Sequence, residues 1–551
     1  MSTPQSPAVP LRTPPATPDR RPGVPALATA AALTTVVAFV VRLVPVLRGG
    51  GLHGLGNYDD AVHFAATVGL VHGRLPYRDF LLLQPPGILV LLSPFAALGR
   101  LVGDPDAFAL ARLAWIAVGA VTAGLLGLVL RRHGLVAVLV GGLTYALFFP
   151  VSYVERTTLL EGPQNTLLVL AVLLLGVDGG RFGWPAALDR TAPGRWLRRL
   201  VPDAGDAGSS TAEGPADPFP PSRLRRAVIA GCALGLVVTI KIWGVVIVMA
   251  VVGWLLVGRR SREAAATGLA AMALAAVVYL VFFVQAPTAM WQMVVTDQLG
   301  RRSVGTVSGR LAVATGLRGD GGDRVPGVLL GVVLLVVLAA LLLALRTALG
   351  RLGVALYVVS VLVLVATPSE FLHYGALLGA PTALVLGTAA GTLAGRPAAA
   401  PRGRPVLAAV LGVAVLVGLG WHQPDSRFGT RFRITPAVRD AVDRAPGCVT
   451  FDDPGPALEL DVVQRNLDRG CPLVVDLGGR SYHPPMIRAV PRDRNRLWQA
   501  YALDYLRGGD VALISRFRTG GGFSAATRAV VRRWPLLAKS GPVDVRRPPG
   551  R

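Results

Sequence analysis

Long apolar runs recur along most of this chain, and they fix its class before any motif is read. Hydrophobic residues make up 52% of the 551, and the mean hydropathy is +0.53. Apolar stretches of near-spanning length imply a polytopic α-helical membrane protein, because in hydrocarbon a helix satisfies its backbone amides within its own segment. We expect about 11 spans, at 26–47, 107–130, 134–150, 164–178, 227–240, 242–257, 263–285, 325–345, 352–367, 374–393 and 405–421. The run 26–47 is too long for a signal-peptide core and has no small-residue cleavage site, so it reads as a signal anchor.

The net charge of +24 serves this topology and does not point to nucleic acid. A nucleic-acid binder needs basic residues on a soluble face with aromatics interleaved; here the arginines lie between apolar runs. Arg131-Arg132-His133, the loop 179–226, Arg259-Arg260-Ser261-Arg262, Arg346 to Arg351 and Arg396 to Arg404 all fall on one side, the cytoplasmic side under the positive-inside rule. Residues 1–25, rich in proline with Arg12, Arg20 and Arg21, read as a disordered cytoplasmic tail, and 179–226 as a flexible cytoplasmic loop. The apolar stretch 86–103 is long enough to be counted as a span, yet counting it would turn every later arginine cluster outward. It is therefore read as a helix on or dipping into the outer face.

An odd number of spans leaves residues 422–551 outside the cytoplasm. That region is of domain size and alternates strand-like runs (Cys448-Val449-Thr450-Phe451, Leu473-Val474-Val475-Asp476, Val511-Ala512-Leu513-Ile514) with helical stretches at 436–444, 494–506 and 524–533, the pattern of a small α/β domain. Cys448 and Cys471 form a candidate disulfide if the region is extracytoplasmic; Cys232 sits within an apolar helix and reads as packing. No repeat is detected, and the C-terminal region holds no phosphate-binding glycine loop and no metal-spaced His/Cys set.

The outer loop 48–106 carries unusual chemistry. It contains Asn57-Tyr58-Asp59-Asp60, then Gly73-Arg74-Leu75-Pro76-Tyr77-Arg78-Asp79-Phe80, then Gln84-Pro85-Pro86-Gly87. Adjacent carboxylates at a membrane surface are costly unless they bind or ionise something. Two like charges side by side can raise one pKa, which suits a base working near neutral pH. A solvated pair or a helix N-cap remains an alternative reading. Lys241, in Val237-Val238-Thr239-Ile240-Lys241-Ile242-Trp243, is the sole lysine of the membrane portion. Its depth suits the phosphate of a lipid-linked substrate; snorkelling from a helix end is the alternative. Glu155-Arg156 and Glu161 occupy the next outer loop, where Glu161 suits either the Asp59 cavity or the helix macrodipole. Gln298, Arg301, Arg302 and His373-Tyr374 complete the outward set, the arginines being candidate anion binders or plain solvated residues.

The order and spacing of these pieces resemble the GT-C superfamily of integral-membrane glycosyltransferases, similar to the aminoarabinose transferase and protein O-mannosyltransferase group, with a C-terminal domain of the kind appended to actinobacterial members. The resemblance covers roughly 26–393 and is best over 56–90. It implies a catalytic base at Asp59, a second-loop acid at Glu161, with Asp60 beside the base, and a phosphate-holding lysine at Lys241, helped by Arg301, Arg302 and Arg78. It implies a substrate cavity near Tyr58, Tyr77, Gln84, Glu155, His373 and Tyr374. Gln84 stands where many relatives have histidine, and His373-Tyr374 where Arg-Tyr is frequent.

The implied fold is an all-α membrane bundle, residues 26–421, with a small α/β domain. The implied reaction is an inverting transfer of a sugar from a polyprenyl phosphate to a hydroxyl of a cell-envelope glycan, lipid or protein at the outer face of the cell membrane. A divalent cation at Asp59 and Glu161 is left open. A lipid-linked glycan transporter or flippase is the main rival, and it predicts charges spread along a pathway and internal repeats; a non-catalytic cell-envelope scaffold is the second, and a ligase using a lipid-diphosphate oligosaccharide is a closer enzymatic alternative.

Overall fold

The computed structural model describes residues 24–176, 221–301, 303–319, 325–395, 403–424, 426–483, 490–516 and 520–549. The readings of 1–23 and 177–220, and of Arg302, lie outside the described residues. The bundle begins with α1 (Val24–Arg48). The loop helices α2 (Tyr58–Val71) and α3 (Gly87–Val102) follow, then α4 (Asp104–Leu130), α5 (Leu135–Leu147), the short α6 (Phe149–Val154) and α7 (Glu161–Leu175). After the undescribed loop come α8 (Pro221–Ile240), α9 (Gly244–Val257) and α10 (Ser261–Phe283). A broken helical stretch, 287–299, leads to α11 (Val307–Ala314), α12 (Gly327–Ala344), α13 (Ala348–Ala366), a 3₁₀ turn Leu372–Leu378 running into α14 (Gly379–Ala394), and α15 (Gly403–Gly420).

Among the described residues, six helical segments are long and apolar enough to cross a membrane: 25–48, 104–133, 261–283, 327–344, 348–366 and 372–394. Others, such as α5, α7 and α9, are shorter than a bilayer needs. Short helices end inside a protein rather than in lipid, because their terminal carbonyls and amides then need partners. Gln164 accordingly donates to Val237 O at 3.1 Å and Tyr279 to Val238 O at 3.0 Å, near the end of α8. Asn165 donates to Ala376 O at 2.8 Å in the 3₁₀ turn. Gly231 and Gly235, one turn apart on α8, allow α10 to approach closely. A Cβ at these positions would lie 2.4 Å from Thr267 O and 2.6 Å from Ala271 O.

The C-terminal domain contains α16 (Pro436–Asp443), β1 (Val449–Phe451), α17 (Pro454–Glu459), α18 (Val462–Asp468), α19 (Arg496–Arg507), β2 (Val511–Ile514), α20 (Ala525–Arg532), β3 (Leu536–Ser540) and β4 (Val543–Arg546). The sheet order is β1-β2-β4-β3; β1 and β2 are parallel and the other neighbours antiparallel. The expected strand 473–476 does not form: it is irregular chain lying against α2, with Leu473 packed where a Cβ on Gly69 would stand. The β3–β4 hairpin was not anticipated. Cys448 and Cys471 are disulfide-bonded.

One apolar cluster lies within the bundle. A second runs without interruption from Phe64, Leu89 and Phe108 of the loop helices and α4 to Phe451, Leu458 and Val545 of the C-terminal domain. The C-terminal domain thus shares a core with the loop that carries the acidic pair.

Candidate active site

Helix α2 starts where it does because Asn57 caps it: the Asn57 side chain accepts the Asp59 amide at 2.9 Å, and Asp59 and Asp60 sit in the first turn, where the macrodipole favours acids. The two carboxylates then part company. Asp60 is fully buried and accepts from Arg112 Nε at 3.1 Å and Nη2 at 2.9 Å, and from the Thr157 hydroxyl. Burial raises its pKa to about 6, with the Asp59 charge the last of the contributors. The raised acid of the pair is therefore the paired, structural one. Asp60, expected with Asp59 at the catalytic centre, ties α2 to α4 through Arg112, which also donates to Leu52 O and Gly54 O.

Asp59 is half-buried, and its carboxylate makes no hydrogen bond or ion pair among the described residues. It lies within electrostatic reach of Lys241, His373 and Tyr374, at the break between α8 and α9. Lys241 lies at that break, buried, ion-paired with Glu161 at the first turn of α7. Its ammonium stands 4.5 Å from the Trp243 ring centroid and 4.2 Å from that of Tyr374. Trp243 and Tyr374 meet edge-on at 4.6 Å, and His373 stacks on Phe371 at 5.2 Å. Arg301 donates to the Tyr374 hydroxyl at 3.4 Å. His63, buried on α2, completes the group; burial lowers its pKa to about 4, so it is neutral at pH 7. Among the described residues, three buried atoms of this group have no hydrogen-bond partner: Glu161 Oε2, His63 Nδ1 and Arg301 Nε.

The structure thus brings Asp59, Glu161, Lys241, Arg301, His373 and Tyr374 together. It sets other expected site residues apart. Glu155 is fully buried between Arg42, at 2.5 Å, and the Tyr145 hydroxyl, at 2.5 Å. Arg78 is an exposed partner of Asp79 at 2.9 Å. Tyr77 is buried with φ 68° and donates to the main-chain carbonyl of Gln84 at 2.7 Å, so both serve the turn before α3. Tyr58 points into the C-terminal domain. Among the described residues no group of three or more His, Cys, Asp or Glu is arranged to hold a metal ion, and Glu161 faces Lys241.

Sequence reasoning missed His63 and Trp243. A polar residue inside Ala61-Val62-His63-Phe64 and an aromatic two places after the membrane lysine were the available signals.

A family model, glycosyltransferase family 87, matches residues 219–368, which include Lys241 and Arg301. No curated protein matches the sequence significantly. Among solved structures, ArnT from Cupriavidus metallidurans bound to undecaprenyl phosphate superposes with TM-score 0.51 at 14% identity, over 94% of this chain and 97% of that one. The archaeal oligosaccharyltransferase AglB from Archaeoglobus fulgidus, in complex with an inhibitory peptide and a dolichol-phosphate, gives 0.52 at 12% identity, over 89% and 69%. The same organism's oligosaccharyltransferase tethered to an acceptor peptide gives 0.53 at 11% identity, over 94% and 73%. The likeness to these solved membrane proteins is one of fold: a bundle of apolar helices with a small C-terminal α/β domain.

Proposed function

We propose that this GT-C-fold protein moves a sugar from a polyprenyl-phosphate donor to an acceptor hydroxyl at the outer face of the cell membrane, with Asp59 as general base. The observation that carries the reading is the Asp59 carboxylate, without a partner among the described residues, in the neighbourhood of a buried lysine, a tyrosine-bound arginine and unsatisfied buried polar atoms of Glu161 and His63. Buried polar atoms are ordinarily bonded; a sugar's hydroxyls would satisfy Glu161 Oε2 and His63 Nδ1. The solved relatives bound to undecaprenyl phosphate and to dolichol-phosphate are consistent with a donor of this class.

The acceptor oxygen attacks the anomeric carbon as its proton passes to Asp59, and the bond from that carbon to the phosphate oxygen breaks. The electron pair leaves with the lipid phosphate, and a single displacement inverts the anomeric centre. Lys241 and Arg301 stabilise the charge that grows on the leaving phosphate. The ion pair with Glu161 holds Lys241 in place until the phosphate arrives.

The arginine clusters put the N-terminus in the cytoplasm and the C-terminal domain outside. The Cys448–Cys471 disulfide supports that side, since such bonds persist in oxidising compartments.

The test is turnover of a panel of polyprenyl-phosphate sugars by the protein in lipid nanodiscs, wild type beside Asp59→Asn. Loss of a general base lowers kcat by about 10²- to 10⁴-fold, with donor binding kept. Turnover of Asp59→Asn at the wild-type rate would refute the assignment of the base. Donor binding without turnover by either protein would favour a flippase.

A further inference from the structure

The C-terminal domain reaches into the neighbourhood of the candidate base through one tyrosine. Tyr58, first residue of α2, donates its hydroxyl to Asp476 Oδ1 at 3.0 Å, and the hydroxyl oxygen accepts from Gly478 N at 3.3 Å. The Arg516 guanidinium lies 3.7 Å over its ring. Asp476 is itself fixed, since the same Oδ1 accepts from Gly479 N at 2.7 Å. Farther along α2, Leu473 occupies the space a Cβ on Gly69 would need, 2.5 Å away. The same stretch of the domain also touches the other flank of the site. Tyr482 underlies the Arg301 guanidinium at 5.4 Å, and His483 Nδ1 lies 3.6 Å from Asp297 Oδ2, just before Arg301 in the chain. Three segments remote in sequence, at Tyr58, at 297–301 and at 473–483, therefore converge at one end of the bundle.

A tyrosine that only filled space would need neither a fixed carboxylate for its hydroxyl nor a cation over its ring. Consecutive Cα atoms are about 3.8 Å apart, so whatever fixes Tyr58 fixes the backbone of Asp59. We infer that Asp476 and Arg516 are positioning residues: the C-terminal domain clamps Tyr58 and so holds the Asp59 carboxylate at the reacting centre. The inference rests on the reading of Asp59 as base and assigns the domain a part in that chemistry.

The test uses the full-length protein in nanodiscs, with two readouts. Hydrogen exchange over residues 58–66 reports the clamp whether or not the protein turns over. It is expected to quicken several-fold in Tyr58→Phe and in Asp476→Ala, while Asp476→Asn, which still accepts the hydroxyl, stays near wild type. Turnover reports the positioning: a misplacement of about 1 Å costs roughly 10²-fold in rate. On that basis kcat should fall about 10- to 100-fold in the first two variants, with donor KM little changed. Because the Tyr58–Asp476 bond is lost in both, the double variant should be slowed by less than the product of the two single effects. Should Tyr58→Phe fail to fold, Asp476→Ala beside Asp476→Asn carries both readouts.

Unchanged exchange overturns the clamp. Quickened exchange with unchanged kcat, while Asp59→Asn is inactive, overturns the positioning alone. Asp59→Asn turning over at the wild-type rate overturns the base, and the positioning with it.

Discussion

Gly87, directly after Pro85-Pro86, is expected to be intolerant of a single methyl group. A Cβ there would stand 2.3 Å from the Thr239 hydroxyl and 2.6 Å from both the Thr239 carbonyl carbon and oxygen. The hydroxyl can rotate away; the carbonyl belongs to the last turn of α8 and cannot. Restoring ordinary contact, which begins near 3.4 Å, requires α3 and the end of α8 to separate by about 0.8 Å. Lys241 follows Thr239 by two residues, so that displacement passes to the ammonium held between Glu161, Trp243 and Tyr374. Overpacking of this kind costs about 1–3 kcal/mol of stability. A shift approaching 1 Å at a group that stabilises the leaving phosphate costs on the order of 10²-fold in rate. Gly87→Ala, assayed for donor turnover and melting temperature in nanodiscs, should lose both, and the loss of kcat should exceed what the unfolded fraction explains. Gly331→Ala, where a Cβ meets nothing within 4 Å, is the control and should change neither. If Gly87→Ala keeps kcat within about threefold of wild type, the contact is packing alone and the coupling to Lys241 is wrong.

Arg112→Ala leaves Asp60 buried without its cation and should destabilise the protein by about 3–5 kcal/mol, read as a lowered melting temperature; adding Asp60→Asn should recover part of the loss. Burial raises Asp453, the cap of α17, from 3.8 to about 7. A carboxyl raised on folding binds more protons folded than unfolded between those values, so its stabilisation is full below 3.8 and fades as pH rises through 7. The C-terminal domain should therefore melt lower at pH 8 than at pH 5, and Asp453→Asn, which preserves the cap, should narrow the difference in a pH series of melts. Breaking the Cys448–Cys471 bond, which spans 23 residues, should cost the domain about 3 kcal/mol, seen as a lower melting temperature for Cys448→Ala/Cys471→Ala.

What the sequence revealed and what it hid follow one physical line. Hydropathy and arginine placement are local properties, so α1, α4, α10, α12 and α13 coincide closely with the expected spans. The helix cap read at Asp59-Asp60 falls on Asn57 instead, and Lys241 stood out because a lone cation in an apolar run is rarely idle. Partnership is not local. Lys241 finds Glu161 across 80 residues, Asp60 finds Arg112 across 52, and Tyr58 finds Asp476 across 418. Leu473-Val474-Val475-Asp476 reads as a strand by composition, yet Leu473 and Asp476 are engaged by α2, and among the described residues no strand pairs with it.

That distinction between what is local and what is paired also sorts the acids. In the two loops that resemblance singled out, four carboxylates compete for a catalytic role: Asp59, Asp60, Glu155 and Glu161. Sequence cannot rank them, since each is short of water and next to an apolar segment. The structure supplies a buried cation to three of them, Arg112 to Asp60, Arg42 to Glu155 and Lys241 to Glu161. A buried pair is broken only at a cost of several kcal/mol, which makes those three poor candidates to exchange a proton at each turnover. Asp59 has no such partner among the described residues and sits one residue from a tyrosine gripped by the C-terminal domain. A carboxylate free of a cation yet held in place is what a base needs, and of the four only Asp59 meets both conditions.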